Sequence, residues 1–257
     1  MTVLRTLVMI FAMFSRIPMP KVAWLPANLR YVPGGLPLVG LAIGVMQGLW
    51  IWMGHVTQMG PLLYSAGLTL IPIFVSGGIH LDGWCDTCDA MASHASPERK
   101  QEILKDPHAG AFAVIGLACY LLAYVALAAE LPVQLSTIWL IIMLHVLSRM
   151  ATSLSIIVFP ANRSTGLFAA FQQSAARTQA GAILAVWLVL YTAAALLVSW
   201  TAGLAMLMAA SGILLYVSNL SRKQFGGMSG DLAGYLLQLS ELAMLAVIVV
   251  ITRGGWL

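Results

Sequence analysis

The sequence predicts an all-α protein, a polytopic membrane helix bundle. Its mean hydropathy is +0.91, 60% of its residues are apolar, and only 9% are charged. A soluble domain carries roughly a quarter charged residues, so this composition excludes an ordinary soluble enzyme. We expect a single integral-membrane domain over residues 1–257, with about seven transmembrane spans and a short N-terminal interfacial helix.

Seven stretches approach the roughly 20 apolar residues that cross a bilayer. Gly60-Pro61, Glu130-Leu131-Pro132 and the residues 200–203 form tight turns between paired spans. The segment 3–15 is too short to cross, so we expect it to lie at the membrane interface. The predicted spans are 35–57, 60–79, 110–130, 134–159, 179–199, 201–220 and 234–252.

The positions of Lys and Arg predict the orientation. The three tight turns contain neither residue type, whereas the four longer segments on the other side contain most of them. The positive-inside rule therefore predicts that the N-terminus and the four longer segments, with the candidate site, lie in the cytoplasm. No basic run is long enough to indicate a nucleic-acid partner. The basic residues concerned are Arg5, Arg16, Lys21, Arg30, Arg99, Lys100, Lys105, Arg163, Arg177, Arg222 and Lys223.

Three aspartates stand out because acidic residues are scarce. Asp82, Asp86 and Asp89 fall within eight positions of a chain that has only nine Asp and Glu. In a helix they lie at i, i+4 and i+7, on one face. Carboxylates so close together repel unless a cation neutralises them, and an all-oxygen ligand set selects Mg²⁺ or Mn²⁺. The spacing therefore predicts a metal site for a phosphorylated substrate, with three solvated aspartates as the alternative.

The same segment contains three other reactive side chains. Cys85 and Cys88 form a Cys-x-x-Cys string, which can indicate redox chemistry or zinc. Either reading needs a second ligand pair or a thioredoxin-like fold, and the sequence has neither, so we expect packing residues. His80 is a candidate for binding phosphate or for acid–base catalysis, with a structural hydrogen bond as the alternative.

Two further loops combine charge with glycine. The segment 105–110 contains Pro107 near a helix start and is a candidate anion site, with a helix cap as the alternative. The segment 222–231 pairs two cations with glycine and a carboxylate, a set that suits phosphate and metal, with a flexible loop as the alternative. Arg149 lies inside a predicted span, where an unpaired cation is costly, and Glu241 is its candidate partner.

Together these segments resemble the cobalamin synthase family (adenosylcobinamide-GDP ribazoletransferase), in order from residue 11 to about 242. The sequence departs from the family at Cys85 and Cys88, where small residues are expected, which favours packing over thiol chemistry. The matching motifs are Gly77-Gly78-Ile79-His80-Leu81-Asp82-Gly83-x-x-Asp86-Thr87-x-Asp89-Ala90, Lys105-Asp106-Pro107-His108-x-Gly110, Phe225-Gly226-Gly227-x-x-Gly230-Asp231, Phe14-Ser15-Arg16-Ile17-Pro18-x-Pro20 and Arg163-Ser164-Thr165-Gly166-Leu167.

The resemblance implies the step that completes the nucleotide loop of vitamin B12. A hydroxyl of α-ribazole, or of its 5′-phosphate, would attack the cobinamide-side phosphate of adenosylcobinamide-GDP, and GMP would leave. Mg²⁺ is the implied cofactor, and the implied setting is a lipid bilayer, the bacterial cytoplasmic (inner) membrane. The oligomeric state is left open, with a homo-oligomer among the possibilities.

From these parts we predict three groups of site residues. The metal ligands are Asp82, Asp86 and Asp89. The catalytic group consists of His80, Lys105, Arg222, Lys223 and Asp231, with the cations stabilising charge and Asp231 acting as a further ligand or as the hydroxyl base. The substrate-binding group consists of Arg16, Asp106, His108, Arg149, Arg163, Gly226, Gly227 and Gly230.

Two other classes of membrane protein are less consistent with the sequence. Phospholipid head-group synthases of the CDP-alcohol type also cluster aspartates, but their Asp-Gly-x-x-Ala-Arg pattern is absent, since Asp82-Gly83 is followed by Trp84-Cys85-Asp86. An ion-coupled transporter would place its carboxylates near the membrane midplane and would show inverted repeats. Here the acidic cluster lies at a span end.

Overall fold

The computed structural model describes residues 2–23, 25–164 and 166–256, so Thr165 of the Arg163 motif lies outside the described residues. These ranges form twelve helices and no multi-residue strand, which confirms the all-α fold class. In chain order, the helices are α1 (Thr2–Phe14), α2 (Pro26–Leu29), α3 (Val32–Thr57), α4 (Pro61–Ser76), α5 (Ile79–Ala92), α6 (Pro97–Ile103), α7 (Ala111–Glu130), α8 (Leu135–Val158), α9 (Leu167–Ser174), α10 (Arg177–Val198), α11 (Trp200–Phe225) and α12 (Gly230–Arg253).

Six helices, α3, α7, α8, α10, α11 and α12, are long and apolar enough to cross a membrane. They coincide within a few residues with six of the seven predicted spans. The span predicted at 60–79 is different, because α4 has 16 residues and α5 turns away from it by 96°. At 1.5 Å per residue α4 is about 24 Å long, less than the ~30 Å hydrocarbon core. A seventh crossing therefore requires α4 and α5 together.

Two consecutive glycines produce the bend between α4 and α5. Gly77 and Gly78 have φ angles of 69° and 78°, in the left-handed region that glycine enters without strain. A Cβ atom at Gly77 would also lie 2.9 Å from the Arg16 Nε, and the backbone amide of Arg16 donates to the carbonyl of Val75 over 2.7 Å. The bend lays α5, and with it the three aspartates, across the end of the bundle.

The predicted N-terminal helix is confirmed as α1, which packs against α2 and α3. Its inner face buries Met9, Ile10 and Phe14 in a cluster that also contains Leu36 and Ile43 of α3. Burying side chains of this size contributes roughly 1.5–3 kcal/mol each. This packing holds the segment that follows Phe14 beside the bend at Gly77.

The closest pair of spanning helices is α3 and α8, and glycine allows the approach. Gly40, Gly44 and Gly48 recur every four residues on the face of α3 that meets α8. A Cβ atom at Gly44 would lie 2.7 Å from the Ile142 Cα, and one at Gly48 would lie 2.7 Å from the Ile138 Cγ2. Small residues at this spacing let helix backbones touch and gain dispersion energy. The contact aligns polar side chains of the two helices in the bundle interior.

Candidate active site

A cavity of about 320 Å³ opens at the end of the bundle. Its walls come from α1, α3, α5, α8, α9 and α12, together with the loops around residues 105, 162 and 229. These loops all belong to the segments that the distribution of Lys and Arg assigns to one side of the membrane. Seven predicted site residues contribute to the wall: His80, Asp82, Lys105, Arg149, Arg163, Gly230 and Asp231.

A close crossing of α5 and α12 brings Asp231 to the aspartate face. A Cβ atom at Gly83 would lie 2.6 Å from the carbonyl oxygen of Asp231, and one at Gly234 would lie 3.0 Å from the carbonyl oxygen of His80. The two backbones are therefore in contact where α12 begins. As a result Asp231, which is 149 positions after Asp82 in the chain, lies within its electrostatic reach.

The carboxylates on this face are electrostatically strained without a cation. Burial, together with the neighbouring Asp82, Asp231 and Asp89, raises the pKa of Asp86 to about 7. Within the three described ranges, no three Asp, Glu, His or Cys side chains lie close enough to hold a metal by themselves. Mg²⁺ is commonly held by one or two carboxylates plus water and substrate phosphates, so the arrangement fits that ion better than one needing a closed cage.

Asp89 makes contacts that the sequence reading did not anticipate. Its Oδ1 accepts from the backbone amide of Ala113 over 3.0 Å, and its Oδ2 accepts from the amide of Gly110. These amides are unpaired donors at the start of α7, where a negative charge is favourable. The anion at the helix start predicted near Pro107 is thus the Asp89 carboxylate. Its prediction as a metal ligand stays a prediction, while its observed contacts fasten α5 to α7.

His80 is buried in the cavity wall and carries no charge at neutral pH. Burial, with a contribution from the nearby Arg149, lowers its pKa to about 3. Its ring stacks on that of Phe14 with a centroid distance of 6.2 Å. The burial of the ring and its stacking on Phe14 suit a packing role, and the role in acid–base catalysis stays a prediction.

Two loops are tied together to place Arg163 at the cavity. The amide of Asn162 donates to the carbonyl of Met228 and the amide of Met228 donates to the carbonyl of Pro160, both over 2.8 Å. Gln101 of α6 holds the Arg163 guanidinium, because the Arg163 Nη2 donates to the backbone carbonyl of Gln101 over 2.6 Å. Gly227 is needed for this contact, because a Cβ atom there would lie 2.7 Å from the Asn162 amide nitrogen.

Arg149 pairs with Glu241, as the sequence reading suggested. The Arg149 Nη1 donates to the Glu241 Oε1, and the two side chains are 2% and 1% exposed. The His145 ring extends the network, with nitrogens 2.8 Å from the Glu241 Oε1 and 2.6 Å from the Gln47 Oε1. Within the described part of the chain, the Arg149 Nε has no hydrogen-bond partner. Arg149 also lines the cavity, and the Glu241 carboxylate balances its charge.

Several predicted site residues lie outside the cavity wall. Asp106 and His108 bond to each other over 2.8 Å, and their side chains are 57% and 88% exposed. Arg16 lies over Gly77 at the bend. Gly226 ends α11 with a φ of 69°. The exposed members of this set are Arg16, Asp106, His108, Arg222, Lys223 and Gly226.

The cavity also contains polar residues that the sequence reading missed. Asn162, Thr152 and Ser229 all line it. Thr152 lies three residues after Arg149, one turn further along α8, so it shares the face of that cation. The hydroxyl of Ser229 accepts from the amide of Leu232 and begins α12. The helical spacing from Arg149 could have identified Thr152 as a cavity residue, whereas no signal in the sequence indicated Asn162.

Of the two cysteines of α5, Cys88 packs against α7. Cys85 and Cys88 are free thiols, and burial raises the pKa of Cys88 to about 11. A Cβ atom at Gly116 would lie 2.7 Å from the Cys88 Sγ, so the thiol fills the space against α7. A protonated, packed thiol is inert, as expected for a structural cysteine.

Comparison with known proteins shows which family the chain belongs to. The model of the family described as Cobalamin-5-phosphate synthase matches residues 6–249. The chain belongs to this family. An adenosylcobinamide-GDP ribazoletransferase from Lachnoclostridium phytofermentans is 39% identical over 98% of this chain and 95% of its own length. Proteins of the same name from Desulfitobacterium hafniense and Geobacillus kaustophilus are 32% and 30% identical, covering 94% and 92% of this chain and 95% and 92% of their own lengths.

No solved structure matches the chain. The family match spans the six long helices except the last few residues of α12, and it includes all of the cavity wall. The resemblance inferred from the motifs is therefore confirmed at the level of the family.

Gly83→Ala tests the crossing of α5 and α12. We expect activity to fall by at least about tenfold, because a methyl group 2.6 Å from the Asp231 carbonyl must push α12 away from Asp82. Gly212→Ala in α11 is the matched control, since a Cβ atom there meets nothing within 4 Å. The measurement is product formation by each purified variant at equal protein. Equal activity of Gly83→Ala and the control would refute the role of the crossing.

Proposed function

We propose that this chain is a Mg²⁺-dependent adenosylcobinamide-GDP ribazoletransferase. It transfers the adenosylcobinamide phosphate group to α-ribazole, or to α-ribazole 5′-phosphate, and releases GMP. The observation that carries the proposal is the family match over residues 6–249. The names of the relatives supply the reaction, and the cavity that brings carboxylates and cations together supports it.

The carboxylates on α5 suit the diphosphate of the substrate. Asp82 lines the cavity and Asp86 lies one turn further along the same helix. We assign these two as the ligands of Mg²⁺, because both are carboxylate oxygen donors on one face of the helix, and neighbouring carboxylates repel each other unless a cation neutralises them. When bound, Mg²⁺ neutralises charge on the diphosphate and on the leaving GMP.

The remaining wall residues take the other roles. Lys105, Arg149 and Arg163 line the cavity and donate to phosphate oxygens, which stabilises the charge that develops during transfer. The ribazole hydroxyl oxygen bonds to the cobinamide-side phosphorus as the bond from that phosphorus to the GMP oxygen breaks. Asp231, which faces Asp82 across the helix crossing, accepts the hydroxyl proton.

Arg222 and Lys223 lie on an exposed turn outside the wall. The substrate carries a corrinoid and a guanosine beyond its diphosphate, and these parts extend past a cavity of about 320 Å³. We propose that the two exposed cations contact the nucleotide outside the cavity. We also propose that the cavity opens to the cytoplasm of a bacterial inner membrane, on the basis of the Lys and Arg distribution.

A reconstituted assay tests this function. The purified protein is incubated with adenosylcobinamide-GDP, α-ribazole and Mg²⁺, and GMP and the corrinoid product are measured by liquid chromatography. We expect both products only when all three components are present, and none when EDTA is added. GMP release without α-ribazole would indicate a hydrolase instead, and full activity in EDTA would refute the metal.

A further inference from the structure

A second concave surface lies away from the site, between the spanning helices α8, α10 and α11. It is a groove of about 340 Å³. Each helix contributes residues at three- and four-residue spacing, and all are apolar except Ser211 and Gly181. The lining residues are Leu147, Met150, Ala151, Leu154, Gly181, Leu184, Ala185, Leu188, Leu207, Ala210, Ser211 and Leu214. A groove of this composition in spanning helices is bathed in acyl chains.

A cation precedes the groove residues on the same face of α10. Arg177 is the first residue of α10, and Gly181, Leu184 and Leu188 follow it at i+4, i+7 and i+11 on the same helix face. Arg177 is exposed, and no carboxylate of the described residues forms an ion pair with it. The first turn of α10 contains no acidic residue and has no side-chain cap. Its free amides and the guanidinium thus point to a phosphate as partner.

The dimensions of this face match one leaflet of a membrane. From Arg177 to Leu188 the helix rises about 16 Å, roughly half of the ~30 Å hydrocarbon core. The groove therefore begins at the head-group level and ends near the midplane. Arg177 follows α9, whose residues Leu167 and Phe168 line the active-site cavity, so the groove opens on the same side as the cavity.

We propose that this groove binds one anionic phospholipid, with an acyl chain along α8, α10 and α11 and the phosphate at Arg177. The lipid covers apolar surface that the other helices leave open, since only 17% of the apolar window of α10 is buried. Bound lipid then stabilises the packing of α10 and α11 against α8. This inference concerns a different surface from the active site and does not depend on the proposed reaction.

The test uses phosphatidylglycerol and phosphatidylcholine with identical acyl chains, added to the purified full-length protein in detergent. Native mass spectrometry measures bound lipid, and thermal unfolding measures the stabilisation. We expect wild-type protein to retain one phosphatidylglycerol preferentially and to unfold at a higher temperature with it. In Arg177→Gln, the preference for phosphatidylglycerol over phosphatidylcholine should fall about fivefold, since one basic residue near an anionic lipid is worth about 1 kcal/mol.

Variants that fill the groove with a larger side chain test acyl-chain binding separately from the contact between Arg177 and the phosphate. Gly181→Leu should weaken binding of both lipids, because a side chain at Gly181 meets open space in the groove. Gly212→Leu is the matched control, since Gly212 is a helical glycine with equally open surroundings on α11 but is not part of the groove. If Gly181→Leu fails to fold, Ala185→Phe provides a second blocking variant.

Three results would overturn the proposal. The first is equal retention of phosphatidylglycerol by wild-type protein and by the blocking variants. The second is an undiminished lipid preference in Arg177→Gln. The third is a change of oligomeric state in Gly181→Leu, measured by light scattering, with no change in lipid binding, which would make the groove an interface between two copies of this chain.

Discussion

Asp82→Asn and Asp86→Asn should each lower product formation by at least about 100-fold while the protein still inserts into the membrane. Each change removes a negative oxygen ligand from the face that we assign to Mg²⁺ and leaves the side-chain volume almost unchanged. Losing a single charge-stabilising contact in a transition state typically costs 10²–10³ in rate. The measurement is GMP release at saturating Mg²⁺ from purified variants, alongside their helical circular dichroism.

A control variant and a measurement of Mg²⁺ binding show whether the loss of activity in the Asp82 and Asp86 variants comes from loss of the metal. Glu98→Gln removes an exposed carboxylate from the first turn of α6, outside the cavity, and should leave activity within about twofold of wild type. Mg²⁺ should raise the unfolding temperature of wild type more than that of Asp86→Asn, because a ligand that binds only the folded state stabilises it. Wild-type-like activity of purified Asp86→Asn would refute its assignment as a ligand.

Glu241→Met should lower the free energy of unfolding by about 3–5 kcal/mol. It leaves the Arg149 guanidinium, which is 2% exposed, as an uncompensated charge in the bundle interior. It also removes the carboxylate oxygen that lies 2.8 Å from the His145 Nδ1. The measurement is unfolding in detergent micelles, followed by circular dichroism. A single variant as stable as wild type would contradict the role of the pair.

A double variant separates the structural part of the pair from its function. Arg149→Met combined with Glu241→Met should recover most of the lost stability, because replacing a buried ion pair with apolar residues is often neutral. It should remain inactive, since the cavity has lost one of the three cations to which we assign the stabilisation of phosphate charge. Recovery of activity together with stability would show that Arg149 serves the fold alone.

The comparison of Asp82 with Asp89 shows how far helical spacing predicts a site. Both residues were correctly placed on one helix, because i, i+4 and i+7 positions share a face. Spacing could not reveal that the Asp89 carboxylate accepts hydrogen bonds from the amides of Gly110 and Ala113. That contact depends on where α7 begins relative to α5, which is a property of packing.

The membrane spans also show which features the sequence predicts and which depend on the tertiary structure. The lengths of the apolar stretches predicted α3, α7, α8, α10, α11 and α12 within a few residues, because a spanning helix must match the fixed thickness of the bilayer. The same criterion read residues 60–79 as one more span and missed that two glycines with positive φ end α4 at Ser76. The backbone conformation of those glycines turns the aspartates across the bundle end.

Composition, periodicity and motif therefore determined the class of this protein, its family and most of its candidate residues, since these follow from local chemistry and from the thickness of a membrane. Only the tertiary structure decided which residues meet. It brought Asp231 to Asp82 through the crossing at Gly83, joined Asp89 to the start of α7, and left Arg222 and Lys223 outside the cavity. The physical reason is that backbone approach between distant segments depends on glycine contacts and buried charge pairs, which no single segment specifies alone.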